Sequence, residues 1–388
     1  MTAPNDFGRE FSRRAGRIGA EVAGPSAAEV DRSARFPNEA IEALRAESLL
    51  SILIPTGSEV APATLGQVAD VVFELGQHCA STAMIYAMHQ IQVACIVRHG
   101  RSDLFHDYLA DVTERQLLLA SATTEAGVGG DVRTSMCAVE HAGAGRIRLE
   151  KQTPVISYGE YADAVLTTAR RGPDSPPNDQ VLVLCRPPGL TLEPTSGWDT
   201  LGFRGTCSLG FRLVAEGEEG LVLSDPYADI LSQTMLPVSH ILWSSVWLGL
   251  ATAATDRARR FVRAEAHKKP GVTPPAALRL AELMVELQRM EEVVHGMARR
   301  FDRECGDPDL LAGMGFAIAM NSLKVSSSTL VVDIVNRAMA ICGMAGYRED
   351  SPFSLGRILR DAHGAAVMVN NDRIYGNTAQ MLLIHREH

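Results

Sequence analysis

The residues best suited to chemistry lie together at 121–131, SATTEAGVGGD. Two hydroxyls (Thr123, Thr124), an acid (Glu125) and three glycines (Gly127, Gly129, Gly130) follow the apolar run 117–120, which reads as a buried strand. Neither helix nor strand continues through three glycines in four positions. Glycine takes positive φ at no steric cost and lets a ligand approach the backbone. Successive N–H groups in such a turn make an anion-binding concavity. The threonine hydroxyls donate or accept at the edge of a planar ring. These residue types suit a ligand loop, and they equally suit an ordinary glycine-rich hairpin turn. The dinucleotide fingerprint G-x-G-x-x-G is not present, because Val132 stands where its third glycine belongs and no helical pattern follows.

The surrounding elements fall into three groups. Residues 1–115 read as helices. Runs 9–22, 37–49 and 65–76 carry apolar residues at helical spacing, and 80–100 is apolar nearly all round, as an internal helix is. His89 in that run is either a pocket residue or a core histidine with one hydrogen bond. Residues 116–228 read as a β region, in which short apolar runs (QLLLASA, RIRLEKQ, DAVLTTA, QVLVLCR, EGLVLSD) alternate with turn residues. Residues 229–388 read as a bundle of long helices at 237–267, 280–297, 310–341 and 357–384, with Gly343 near a C-cap.

Composition narrows the function. With 388 residues, 46% hydrophobic and 21% charged, the chain is large enough for two or three domains. The net charge of -9 and the lack of any Lys/Arg run give no footprint for nucleic acid. Seven scattered cysteines form no C-x-x-C, and no H-E-x-x-H spacing occurs, so no metal site is expected. Reduced, buried thiols and a cytoplasmic location are the expectation. The start, MTAPNDFGREFSRR, lacks the apolar segment of a secretory signal. The stretch 236–254 contains Ser239, His240, Ser244 and Ser245, and is read as a buried helix, not a membrane span.

The order of helices, strands and helices, with TTEAGVGGD entering the β region, resembles the acyl-CoA dehydrogenase family of flavoproteins. The family's loop reads T-E-P-G-x-G-S-D. Here Thr124, Glu125, Gly127, Gly129 and Asp131 match, while Ala126 and Gly130 replace the proline and the serine. EKQTPVISYGEYADAVLTTARR resembles K-x-W-I-T-N-G-x-x-A-D, with Val155, Ile156 and Ser157 at the W-I-T positions. GWDTLGFRGTCS resembles the next turn, and ICGMAGY, RILRDA and IYGNTAQ resemble G-G-x-G-Y, R-D and Y-E-G-T. The likeness runs along nearly the whole chain.

The resemblance implies an α+β, mostly α fold: an N-terminal helical domain (1–115), a middle β-barrel-like domain (116–228) and a C-terminal four-helix bundle (229–388). It implies FAD between the last two. Thr123, Thr124, Gly129 and Gly130 would lie beside the flavin ring, Val155 and Ile156 along it, and Ser157 near N5. Ile341 and Gly343 would touch the FAD of a neighbouring subunit in a homodimer or homotetramer. The implied substrate is an acyl-CoA or other acyl thioester, and the implied electron acceptor is electron-transfer flavoprotein.

The chain departs from the family where the chemistry needs a base. Gly376 occupies the place of the Glu in Y-E-G-T, and counting forward from Arg360-Asp361 lands near Val369. A second family position for that Glu falls on Ser239. The candidate catalytic residues are therefore His240, next to that position, and Asp372. Trp243, Trp247 and Tyr375 are candidates for contact with substrate. The family's R-K-x-F-G, which holds FAD phosphates, reads AHKKPG, leaving Lys268 or its neighbours for that task. The expected function is FAD-dependent α,β-dehydrogenation of an acyl thioester. The alternatives are a flavin monooxygenase on the same scaffold, using FMN or reduced flavin supplied in trans, and a non-catalytic paralogue.

Overall fold

The computed structural model describes residues 4–57, 61–127 and 132–384. α1 (Pro4–Ile18) continues through a π-helical turn at Gly19–Ala23 into α2 (Gly24–Ser33), so the first helix outruns its sequence pattern. After α3 (Asn38–Ala46) comes α4 (Leu65–Gly76), opened by a capping box in which Thr64 and Gln67 satisfy each other's backbone N–H. α5 (Ala80–His99) is enclosed on nearly every side, as its all-round apolarity requires. His89 within it donates from Nε2 to Leu50 O (2.7 Å) and accepts at Nδ1 from Leu119 N–H (3.0 Å). It is a core histidine with two hydrogen bonds, and it docks α5 against the first strand. α6 (Asp103–Arg115) ends the helical region.

The β region contains β1 (Leu119–Ala122), β2 (Glu140–His141), β3 (Arg146–Ile156), β4 (Ala164–Arg170), β5 (Gln180–Cys185), β6 (Leu190–Ser196) and β7 (Leu209–Glu218). They form two sheets, β1-β4-β5 and β2-β3-β7-β6. Only the β1–β4 pairing is parallel among these. The barrel-like middle is thus two sheets. Burial alternates along β3, turning Ile147, Leu149, Lys151 and Thr153 inward. EGLVLSD is not a strand. Glu219–Leu221 is a 3₁₀ turn, and Val222 makes a single bridge to Val183. Its apolar residues Leu221 and Leu223 are buried as core, and a short apolar run cannot by itself distinguish that from a strand.

α7 (Tyr227–Ile230), a π-helical turn at Leu231–Met235 and α8 (Leu236–Lys268) make one continuous helix. Pro237 has no N–H to offer the ladder, and the wider turn sits immediately before it. Then come α9 (Ala276–Glu304), α10 (Pro308–Ala312), α11 (Met314–Cys342), α12 (Met344–Tyr347), α13 (Gly356–Val367) and α14 (Asn371–Ile384). α8, α9, α11 and α13 pack as the bundle. Gly343 closes α11 at φ +54° and ψ -134°, a positive-φ backbone that suits glycine but is not the left-handed helical cap. The single helix expected at 357–384 is two. α13 and α14 meet at an elbow, residues 368–370, where Val369 has φ +48° and Asn370 Oδ1 accepts from the N–H of Asp372. Asn is a preferred helix cap, so the Asn370-Asn371 pair was a readable break.

Among the described residues, three helices are long and apolar enough to cross a membrane: Ala80–His99, Tyr227–Lys268 and Met314–Cys342. The protein itself encloses 89% of the apolar window in each of the first two and 50% in the third. All seven cysteines are free thiols, and all but Cys305 are buried.

Candidate active site

A cavity of about 150 Å³ opens where α5, the end of β1, the π-helical turn and α8 meet. α5 supplies Met88, Ile91 and Gln92; the strand end and its loop supply Ser121 and Thr123. The π-helical turn supplies Leu231 and Met235, and α8 supplies Ser239, His240 and Trp243. Val369 reaches in from the elbow. Tyr227, Leu231 and Leu236 also line a second cavity of about 370 Å³, whose rim is polar through Arg133, Asn178, Gln180, Ser232, Asn321 and Asn377. A mostly apolar lining with a few polar side chains is how small-molecule sites are commonly built. The π-helical turn is pinned through Thr234, whose hydroxyl accepts from Arg98 Nε (2.9 Å) and pairs with His99 Nε2 (2.8 Å).

The sheet side of the cavity is tied down from below. Glu125 accepts from Ser135 Oγ (2.6 Å) and from the N–H groups of Met136 (3.1 Å) and Cys137 (2.7 Å). Lys151, fully enclosed, donates to Ala122 O (3.0 Å), Thr168 O (2.7 Å) and Thr168 Oγ1 (2.7 Å), and stands 3.9 Å from Glu125. Burial pushes the Lys151 ammonium down to about 8. Thr124 Oγ1 donates to Val155 O (3.1 Å). Val155 sits in a β-bulge between Thr153 and Ile156, which re-aims the segment leading to Ser157. Ser157 Oγ accepts from Ser208 Oγ (2.8 Å), and Ser208 pairs with Thr206 Oγ1 (2.7 Å). Tyr158, Phe203 and Cys207 around this hydroxyl string all have positive φ, a conformation that clusters at functional sites. Gly129 and Gly130 lie outside the described residues, as does Asp131.

The helical side is different in kind. His240 Nδ1 lies 3.0 Å from Met320 O. A carbonyl only accepts, so the proton sits on Nδ1 and Nε2 of the neutral ring is an acceptor. Burial pushes its pKa down to about 4, so the ring is neutral at pH 7. Trp243, tilted against it at 6.2 Å between ring centres, has an enclosed Nε1–H with no partner among the described residues. Among the described residues that line the cavity there is no carboxylate.

The other expected residues are placed elsewhere. Trp247 is fully enclosed in the core and lines neither cavity; its ring lies 5.7 Å from Lys324 Nζ. Asp372 is exposed on the first turn of α14, and Tyr375 is exposed on the same helix. Lys268 is exposed at the end of α8 and pairs with Glu265 (2.6 Å). Ile341 and Gly343 close α11, away from the cavity. So Thr123, His240 and Trp243 share one chamber, with Thr124, Val155, Ile156 and Ser157 in the adjoining sheet-side layer.

Residues 6–116 match the family model described as acyl-CoA dehydrogenase, N-terminal domain, and residues 230–369 match acyl-CoA dehydrogenase, C-terminal domain. The chain belongs to the acyl-CoA dehydrogenase family. It is 23% identical to cyclohex-1-ene-1-carbonyl-CoA dehydrogenase of Syntrophus aciditrophicus, over 90% of this chain and 83% of that protein. It is also 23% identical to a probable FMNH2-dependent monooxygenase, SfnC, of Pseudomonas putida, over 84% of each. Its fold superposes on butyryl-CoA dehydrogenase of Megasphaera elsdenii with a TM-score of 0.84 at 19% identity, covering 97% of this chain and 98% of that one.

As a member of this FAD-binding family the chain is an oxidoreductase of acyl-CoA dehydrogenase type. Its residues fit the ring half of a flavin. Thr123 stands at the cavity floor, and Thr124 ties its loop to Val155 in the bulge that leads to Ser157, whereas Ile156 is enclosed in the core. For the phosphates the fit is thinner, because the Lys268 ammonium is engaged by Glu265. Sequence reasoning missed Lys151, Ser208, Lys324 and the cavity role of Val369. A lysine inside the apolar runs RIRLEKQ and NSLKVSS was a readable anomaly. Ser208 carried no local sign, since its closeness to Ser157 is tertiary.

Proposed function

We propose that the chain oxidises an acyl thioester, acyl-CoA or one on another carrier, to its α,β-enoyl form and hands the electrons to electron-transfer flavoprotein. The observation that carries this reading is the single chamber bounded by Thr123 on the sheet side and His240 on α8. Bound FAD would supply the hydride acceptor for the substrate's β-carbon. His240 is the base assigned to the α-proton, since Nε2 holds its lone pair while Nδ1 is committed to Met320 O. Its low pKa makes it a weak base in the closed site. The negative charge that builds on the thioester would favour the imidazolium, as any opposite charge nearby does. Trp243 Nε1–H, enclosed and unpartnered, is the donor available to a substrate oxygen. Exposed apolar side chains on α9 and α14, Leu278, Val285, Leu383 and Ile384 among them, support a homodimer or homotetramer.

A second reading is a flavin monooxygenase working with FMN or reduced flavin supplied in trans. It is favoured by the missing carboxylate, because oxygen chemistry needs no α-proton base, and by the likeness to a probable FMNH2-dependent monooxygenase. The deciding measurement is the absorbance spectrum before and after anaerobic addition of short- and long-chain acyl-CoAs. A yellow protein that bleaches is expected, with His240→Ala slowing the bleaching by about 10²–10⁴. A protein that stays oxidised with every thioester, yet binds reduced FMN and consumes O2, would move the assignment to the second reading.

A further inference from the structure

We propose that Val369 sets which ligands the cavity admits and that Lys324 is the residue that positions it; this rests on the cavity being the substrate site. Val369 is the elbow's contribution to the chamber wall. Its φ of +48° is a left-handed backbone that crowds a β-branched side chain. Such a conformation persists only where the surroundings over-determine it.

Backbone bonds close the elbow on either side, Met368 N–H to Gly364 O (3.0 Å) and Ile374 N–H to Asn370 O (3.3 Å), and one side chain holds Val369 itself. Lys324 on α11 is fully enclosed and donates to Val369 O (2.7 Å) and to Asn371 Oδ1 (2.7 Å). Asn371 is held in turn through its Nδ2–H to Ser328 Oγ (3.0 Å). A single ammonium therefore ties the elbow at Val369 to the start of α14 at Asn371. Among the described residues Lys324 makes no ion pair with a carboxylate. A buried cation without an acid partner is costly, and an apolar residue would fill the same core volume. Its ammonium also lies 5.7 Å from the Trp247 ring, but both of its hydrogen bonds go to Val369 and to Asn371 two residues on, so what those bonds accomplish is to place Val369.

With that isopropyl group in place the chamber is about 150 Å³. An apolar cavity of that volume takes a benzene-sized guest. The admitted head group is thus compact and neutral: a short or small-ring acyl group, not a long chain.

The test uses the purified full chain and calorimetric titration with benzene, indole and naphthalene, beside the melting temperature of each variant. Wild type should favour benzene over naphthalene. Val369→Ala, which deepens the chamber, and Lys324→Met, which keeps the bulk but frees the elbow, should each weaken that preference by about tenfold. A merely structural lysine would lower the melting temperature and leave the preference alone. If Lys324→Met does not fold, Val369→Gly, which removes the crowded Cβ, takes its place. An unchanged preference in folded variants that still bind would overturn the role of the elbow. Binding of none of the probes, by wild type or variant, would overturn the cavity as a ligand site and the proposed function with it.

Discussion

Lys151 and Lys324 are both fully enclosed, and each donates to a backbone carbonyl beside the same cavity. Lys151 has Glu125 at 3.9 Å and sits among partnered groups, with three hydrogen bonds into Glu125 and three out of the ammonium. Among the described residues Lys324 has no acid, and on the same side of the cavity Trp243 Nε1 has no partner and His240 uses only Nδ1. The support beneath the sheet side is therefore complete before any ligand arrives, with Thr123 left to face the cavity, whereas the helical side keeps a donor and an acceptor unspent in its wall. A floor that must hold a large planar group gains from fixed geometry. A wall that must recognise a smaller substrate needs polar groups whose desolvation is repaid only when it binds.

The contrast breaks hardest at Glu125. Glu125→Ala leaves the Ser135 hydroxyl and two N–H groups without the carboxylate they donate to, and the Lys151 ammonium without its only nearby acid among the described residues. Removing one member of a buried charged network costs about 3–5 kcal/mol. Urea denaturation should show that loss. A loss under about 1 kcal/mol would mean that the floor does not depend on its acid and that the two sides are not different in kind.

Next in size is a pH effect at Lys324. Burial pushes its ammonium from 10.5 down to about 8. Between those values the unfolded chain still holds the proton that the folded chain has released, so stability rises with pH across that window. Below about 8 the full cost is present, roughly 3 kcal/mol at 1.36 kcal/mol per unit. Lys151 titrates over the same window for the same reason. Wild type should therefore gain stability between pH 7.5 and 10, and Lys324→Met should gain markedly less. Equal slopes in the two proteins would place the proton release wholly at Lys151, and the uncompensated wall would lose its cation.

Much of this was legible and some was not. The three-part order, the α4 bounds and the internal α5 follow from periodicity, which is local. The loop at Thr123–Thr124 was legible because glycines and hydroxyls are rare in that pattern. The break at the elbow was legible in Asn370-Asn371 but was outweighed by apolar spacing on either side. Trp247 shows the limit most clearly. It shares a helix face with Trp243, yet one turn decides which of them meets the cavity, and that depends on how α8 is rotated against α11. Asp372 drew notice as an acid near the end of the chain, and only the elbow's geometry puts it on the solvent side of α14. The Ser157–Ser208–Thr206 string joins residues about fifty apart, and no sequence window contains both ends.

The finest distinction is between the two threonines of the floor. Thr124 spends its hydroxyl on Val155 O, whereas Thr123 lines the cavity. If the staple of Glu125 and Lys151 holds the loop, Thr124→Val should cost about 1 kcal/mol of stability, the worth of one hydrogen bond, and leave flavin affinity as it was. Thr123→Val should do the reverse, weakening flavin binding with little change in the urea midpoint. Equilibrium titration of the two flavin-free variants with FAD and with FMN, beside their denaturation curves, separates these outcomes. Were Thr124→Val the variant that lost flavin, the hydroxyl would have to turn from Val155 toward the ring on binding. The floor would then adapt to its ligand as the wall does, and rigidity would belong to Glu125 and Lys151 alone.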